Sequence, residues 1–314
     1  MTDRWHWDFD GEHRARRERP EAPGSPLSSG PSREAQIRRR RFILLLALLA
    51  LIAILVAAMP GSHKAATSAA TAPHVTNAPK VKAAVAPAGP ATVSSVLAYT
   101  PFIKEGSARV PDVALTFDDG PGPYTPGVLN VLERMHVHAT FFEIGKMLQY
   151  FSASTERELR DGDVIGDHTE THPMMAEMSA HEQYEELFEQ IARIELLGGP
   201  RPDLFRPPYG SFNATTFDEL HKLHLLMVLW SVDTEDYLQP GVSVIVKNAL
   251  DGAHAGAIIL MHDAGGTRTE TIEALPLIIR AIRARGLKLV TIPELLRDDP
   301  PPHGQPLPTN LSGD

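Results

Sequence analysis

Between residues 95 and 297 two apolar patterns alternate. Short continuous runs read as strands buried on both faces: "VALTF" (113–117), "ATFFEIG" (139–145), "DVIGDH" (163–168), "LLMVLWSV" (225–232), "AIILMH" (257–262) and "LKLVTI" (287–292). Helical spacing falls between them. Ser179 and Glu182 form a capping box, and Tyr184, Leu187, Phe188, Ile191 and Ile194 recur on one helical face until "GGP" (198–200) stops it. Further helices fit 125–135, 214–223, 242–251 and 270–285, with a kink expected at Pro276. Repeated β–α units of this size predict an α/β domain on a parallel sheet, either closed as a barrel or open and doubly wound.

The N-terminal third has a different pattern. Phe42 to Met59 carries no charge over 18 residues, close to the ~20 needed to cross a bilayer, and Arg38 to Arg41 precede it. The arginines place residues 1–41 in the cytoplasm and everything after 59 outside, as a single-pass plasma-membrane protein contacting lipid through 42–59. "VAA" (56–58) leaves a cleaved, secreted form as the alternative. The length of the run and the long tail before it favour an uncleaved anchor. Residues 1–41 have little to bury and read as a disordered tail, 60–94 as an Ala/Pro/Thr-rich linker, and 298–314 as a second, Pro-rich tail.

Charge and composition narrow the chemistry. The chain has 314 residues and a net charge of −9. Residues 1–41 hold ten arginines and seven acids, or +3, so the remainder is −9 − 3 = −12. A body this acidic is not built to neutralise phosphates, and nucleic acid is excluded as a partner. There is no cysteine. Disulfides, thiolate metal sites and cysteine nucleophiles are therefore excluded, and any metal must sit on nitrogen and oxygen ligands. Oligomeric state has no signature here.

The polar residues with chemistry gather where the apolar runs end, which is where α/β folds build sites. One run ends in Asp118 and Asp119, another in His168 and His172, another in Asp233, Asp236 and Tyr237, and another in His262 and Asp263; "LFRPPYG" adds Arg206 and Tyr209. "DHTETHP" (167–173) resembles a zinc-protease helix, but Thr169 stands where that motif needs glutamate and Pro173 would interrupt the helix. Two histidines do not complete a catalytic zinc site, which takes three protein ligands. The acids at 118–119 could supply the third. Spacing alone leaves metal binding and a capping or surface role both open. His221, His224 and His254 read as surface or helix-end histidines, and Met174, Met175 and Met178 as packing residues.

Taken together, "TFDDGP" (116–121), "HTETHP" (168–173), "RPPYG" (206–210), "WSVDTEDY" (230–237) and "LMHD" (260–263) resemble the polysaccharide deacetylases, metal-dependent carbohydrate esterases with a distorted (β/α) barrel. Five motifs occur in the family's order across about 111–296. The resemblance implies that Asp119, His168 and His172 bind a divalent cation, Zn2+ or another such as Co2+. It implies Asp118 as general base held by Arg206, and His262 as general acid oriented by Asp236. Tyr209 would offer its backbone N–H to the oxyanion, and Leu260 would line the acetyl pocket. Tyr237 stands where the family usually has tryptophan, which alters the wall of the substrate groove, and Asp167 stands where asparagine is common. The implied reaction is hydrolysis of N-acetyl groups on a glycan, peptidoglycan first, with release of acetate. An O-acetyl esterase acting on a polysaccharide such as xylan, and a non-catalytic glycan-binding domain, are the alternatives. The second would be expected to have lost a base, ligand or acid, and all are present here.

Overall fold

The computed structural model describes residues 90–304. Its elements in order are helix α1 (Pro90–Leu97), strands β1 (Phe102–Ile103) and β2 (Asp112–Asp118), α2 (Thr125–Met135), β3 (Thr140–Glu143), α3 (Gly145–Asp161), β4 (Val164–Asp167), α4 (Ala180–Leu196) and β5 (Leu204–Phe205). Then follow α5 (Ala214–Leu223), β6 (Leu226–Val228), β7 (Val232–Asp233), α6 (Val242–Gly252), β8 (Ile258–His262), α7 (Thr269–Ala284), β9 (Lys288–Val290) and α8 (Ile292–Asp298). The strands lie in the order β1-β6-β5-β4-β3-β2-β8-β7, with β9 also on β2, and every ladder is parallel.

Period-two alternation explains why the strands are apolar throughout yet end in chemistry. Along β2, Val113, Leu115 and Phe117 face outward into a core shared with α2, α6 and α7. Ala114 faces inward, into a core shared with Phe142, Val228, Ile258 and helices α1 and α8. Thr116 and Asp118 continue that inward face. The register pairs Thr116 with Leu260 and Asp118 with His262, so two polar strand ends meet on the concave side. A third core packs α4 and α5 over Phe205 and Met227.

The structure corrects the sequence reading in several places. The expected distorted barrel is a curled half-barrel: β1 and β7 are the edge strands, and no ladder joins them among the described residues. The run 225–232 is not one strand. It is β6 and β7, separated where the chain changes neighbour: Leu229 N donates to Ile103 O, while Ser231 N donates to Ile258 O. Helix α3 has no counterpart among the predicted helices. Its buried face mixes Ser154, Thr155 and Glu158 with Met147 and Leu148, and no side chain caps its N-terminus. Helix α7 runs through Pro276.

Both domain ends also differ. Helix α1 begins inside the expected linker, with Val93 and Val96 buried, and Asp299 is fully buried inside the expected C-terminal tail. The predicted anchor 42–59, the tail 1–41 and most of the linker lie outside the described residues. Among the described residues no helix is long and apolar enough to cross a membrane.

Candidate active site

Asp118 and Asp119 at the end of β2 both reach His168, with Asp118 Oδ2 3.8 Å and Asp119 Oδ1 3.6 Å from its Nε2, and Asp119 adopts φ 73°, the left-handed region. Thr169, His172 and Tyr209 also have positive φ, at 69°, 63° and 57°. Such backbone costs on the order of 1–3 kcal/mol per non-glycine residue and persists only where the surroundings enforce it. Four such residues at one strand-end rim are a mark of a built site.

Three ligand-type groups converge there. Asp119, His168 and His172 offer ligand atoms that all lie within 4.8 Å of one another. His172 Nε2 is 3.1 Å from Asp119 Oδ1, and His168 Nε2 is 3.6 Å from the same oxygen. Donors about 2.1 Å from a shared tetrahedral cation stand about 3.4 Å apart, so the spacing fits. The donor orientation fits as well. His168 Nδ1 is 2.7 Å from Arg206 O. A carbonyl only accepts, so Nδ1 carries the proton and Nε2 turns its lone pair to the cluster. Burial disfavours the Asp119 carboxylate, but the two imidazoles outweigh it and hold its pKa well below the usual range. A ligand kept ionised, an imidazole oriented by a backbone carbonyl and a second imidazole beside it suit a divalent cation.

Arg206 is fully buried and anchors the next layer. Nη1 donates to Asp118 Oδ1 and Thr116 Oγ1, both at 2.8 Å, while Nε reaches Val228 O at 3.0 Å and Nη2 Leu229 O at 3.3 Å. Those two carbonyls lie where β6 gives way to β7. One guanidinium thus satisfies the backbone freed by the strand break and orients one Asp118 oxygen. It also lies 4.2 Å from the Phe142 ring centroid. Burial lowers the Arg206 pKa, and Asp118 opposes that. Asp118 Oδ2 turns the other way, 3.8 Å from His168 Nε2.

A second unit forms at the end of β8. His262 Nδ1 is 2.8 Å from Asp236 Oδ1. Asp236 Oδ2 accepts from His262 N at 2.9 Å and from Thr271 Oγ1 at 2.7 Å. Burial pushes the imidazole down, but Asp236 first, then Asp119 and Asp118, raise it to about 9. The Asp236 partner therefore favours the imidazolium form of His262.

Two half-exposed tyrosines flank the units. The Tyr209 ring meets His172 edge-on at 4.5 Å between centroids, and Tyr237 meets His262 at 5.4 Å. Leu260 is buried on the same inward face as His262. Every site residue expected from the sequence therefore falls in one cluster. Thr116, Thr271 and Arg268 were missed. Thr116 carried a faint signal, two positions before Asp118 on the same strand face. Thr271 and Arg268 carried none, because they reach the site only through the packing of α7. His221, His224 and His254 are exposed, as expected, and His254 pairs with Glu105.

Comparison with known proteins gives a consistent picture. The polysaccharide deacetylase family model matches residues 105–228. A peptidoglycan-N-acetylglucosamine deacetylase of Bacillus cereus is 38% identical over 188 residues, covering 59% of this chain and 88% of the relative. The peptidoglycan-N-acetylglucosamine deacetylase PgdA of Listeria monocytogenes is 37% identical over 199 residues, 60% of this chain. The chain spans 41% of the length of that relative. Among solved structures, the Bc1960 peptidoglycan N-acetylglucosamine deacetylase superposes with a TM-score of 0.62 at 32% identity, covering 67% of this chain and 98% of the other.

Proposed function

The chain belongs to the polysaccharide deacetylase family, and from that premise we propose that it is a metal-dependent hydrolase that removes N-acetyl groups from amino sugars of a wall glycan, peptidoglycan first, and releases acetate. The observation that carries this reading is the Asp119–His168–His172 cluster set beside the hydrogen-bonded His262–Asp236 pair, at strand ends that the β2–β8 register brings together. The names of the Listeria and Bacillus relatives support the choice of glycan.

In this reading Asp119, His168 and His172 hold Zn2+ or a similar cation such as Co2+. A bound divalent cation supplies Lewis acidity, which makes water nucleophilic at neutral pH and polarises the acyl carbonyl. Asp118 keeps one oxygen on Arg206 and uses the other to take the proton of the attacking water. The backbone N–H of Tyr209 supports the oxyanion, and Leu260 lines the acetyl pocket. As the C–N bond breaks, His262 Nε2 gives its proton to the departing nitrogen, and Asp236 stabilises the imidazolium until then. The products are acetate and a free amine. Tyr237 forms one wall of the glycan groove. Residues 42–59 tether the domain to the outer face of the plasma membrane, or a secreted form arises if the anchor is cut. The basic cluster before that apolar run is the support for this topology.

Acetate release by the full-length protein in detergent tests the reading, on N-acetylglucosamine oligomers, peptidoglycan and acetylated xylan. Release from an amino-sugar glycan is expected, lost on chelation, restored by Zn2+ or Co2+, and lost in Asp118→Asn. Release from xylan alone would replace the reading with an O-acetyl esterase. Binding of glycan with no release by metal-loaded protein would replace it with a binding role.

A further inference from the structure

The left-handed backbone of Asp119 needs something outside the 118–121 turn to hold it. The segment that follows β8 lies against this turn along its length. The place for a Cβ on Gly120 is 2.6 Å from Asp263 Oδ2, and that for Gly122 is 2.5 Å from the Ala264 Cβ. Asp263 N donates to Asp118 O at 3.2 Å. The tightest approach is at Gly265. A Cβ there would overlap Asp119 Oδ2 and lie 2.9 Å from its Cγ. The Gly265 backbone is therefore the wall against which the Asp119 carboxylate rests.

That wall is itself clamped. Arg268 is 3% exposed, and its guanidinium is spent on the carbonyls of its own segment: Nε to Ala264 O at 2.7 Å, Nη2 to Gly265 O at 3.2 Å and Nη1 to Thr267 O at 3.2 Å. A buried arginine fork that closes a loop on itself is a costly way to shape a turn, unless the shape serves something beside it. Just beyond it, Thr271 Oγ1 reaches Asp236.

We propose that Gly265 and Arg268 are positioning residues for the metal ligand Asp119, with the Arg268 clamp setting the loop that fixes the carboxylate's place in the cation site. This rests on the reading of Asp119 as a ligand. Neither residue touches substrate or the reacting atoms.

The test compares two glycines of the same loop. Gly265 has φ 70° and Gly266 has φ 145°, so alanine strains the backbone at both. Only at 265 does the new methyl meet Asp119; at 266 its neighbour is Arg268 Nη2, at 3.4 Å. Zn2+ affinity of the full-length protein is measured by competition with a chromophoric chelator, alongside the thermal midpoint of the metal-free protein and the visible spectrum of the Co2+ form. Gly265→Ala is expected to weaken Zn2+ binding about 10–100-fold and to alter the Co2+ spectrum. Gly266→Ala, whose methyl stays clear of Asp119, should weaken binding much less than Gly265→Ala. Arg268→Met should weaken binding, and Arg268→Lys should restore part of it.

Equal Zn2+ affinity in wild type and Gly265→Ala, or an equal loss in both glycine variants, overturns the proposal and leaves the loop a merely structural turn. Wild type that binds no Zn2+ or Co2+, like His172→Ala, would instead remove the metal reading and this proposal with it.

Discussion

At His262 burial and charge pull in opposite directions, and the charge of Asp236 wins. The sign of the consequence follows from the raised pKa. Stability contributed by the imidazolium is fully present below the ordinary histidine range near 6.5 and is lost as pH rises through about 9. NMR titration of the chelated protein is expected to place His262 near 9, and Asp236→Asn should lower it by at least about one unit. A value unchanged by Asp236→Asn would show that the pair does not govern the acid. At this scale most of the site was legible in sequence, because Asp118, Asp119, His168, His172, Arg206, Asp236 and His262 each stand in a motif with its own spacing. Thr271 was not, since its hydrogen bond to Asp236 spans 35 positions and depends on how a helix is laid down.

Among the elements, β3 and α3 share a buried acidic contact. Glu143 closes β3 and Glu158 sits on the inner face of α3, both fully buried, and Thr155 Oγ1 donates to Glu143 at 2.8 Å. Burial, and for Glu158 also the charge of Glu143, push both carboxyls above the usual range. The folded state therefore holds protons that the unfolded chain releases. Stability should fall as pH rises from near 4.5 to about 7. Glu158→Gln removes the ionisable group at similar volume. Denaturant unfolding should show the variant near wild type at pH 4 and more stable than wild type at pH 8. A gap that does not grow with pH would mean that Glu158 is not the strained acid. Helix α4 was legible because its stripe and its Ser179–Glu182 capping box are both local, whereas α3 has no side-chain cap and carries polar groups on its buried face.

The whole described domain is tied shut at its two ends. Tyr99 OH donates to Pro301 O at 3.0 Å, the Tyr99 and His303 rings stack at 3.9 Å, and Arg109 N donates to Asp299 at 3.2 Å. Ser107 also donates to Pro300 O. A fragment spanning 90–304 should therefore melt at least about 5 °C above one cut to 95–297, measured by circular dichroism at equal concentration. Equal midpoints would show that these end contacts add nothing. Proline-rich composition read these ends as linker and tail. Their role lies in contacts across about two hundred positions, to which no local pattern is sensitive.

By itself the sequence determined the strand–helix alternation, the parallel class of the sheet and the residues at the strand ends. Each of these follows from short-range periodicity or from the fixed chemistry of a few side chains. Only the tertiary structure decided that the sheet stays open, that 225–232 divides between two neighbours, and that Arg206 satisfies the division while holding Asp118. It also decided that the Arg268 loop walls in Asp119. The physical reason is that sheet neighbours and loop-to-loop approach are settled by packing between segments far apart in the chain, where one backbone's carbonyls and free space are answered by another's side chains.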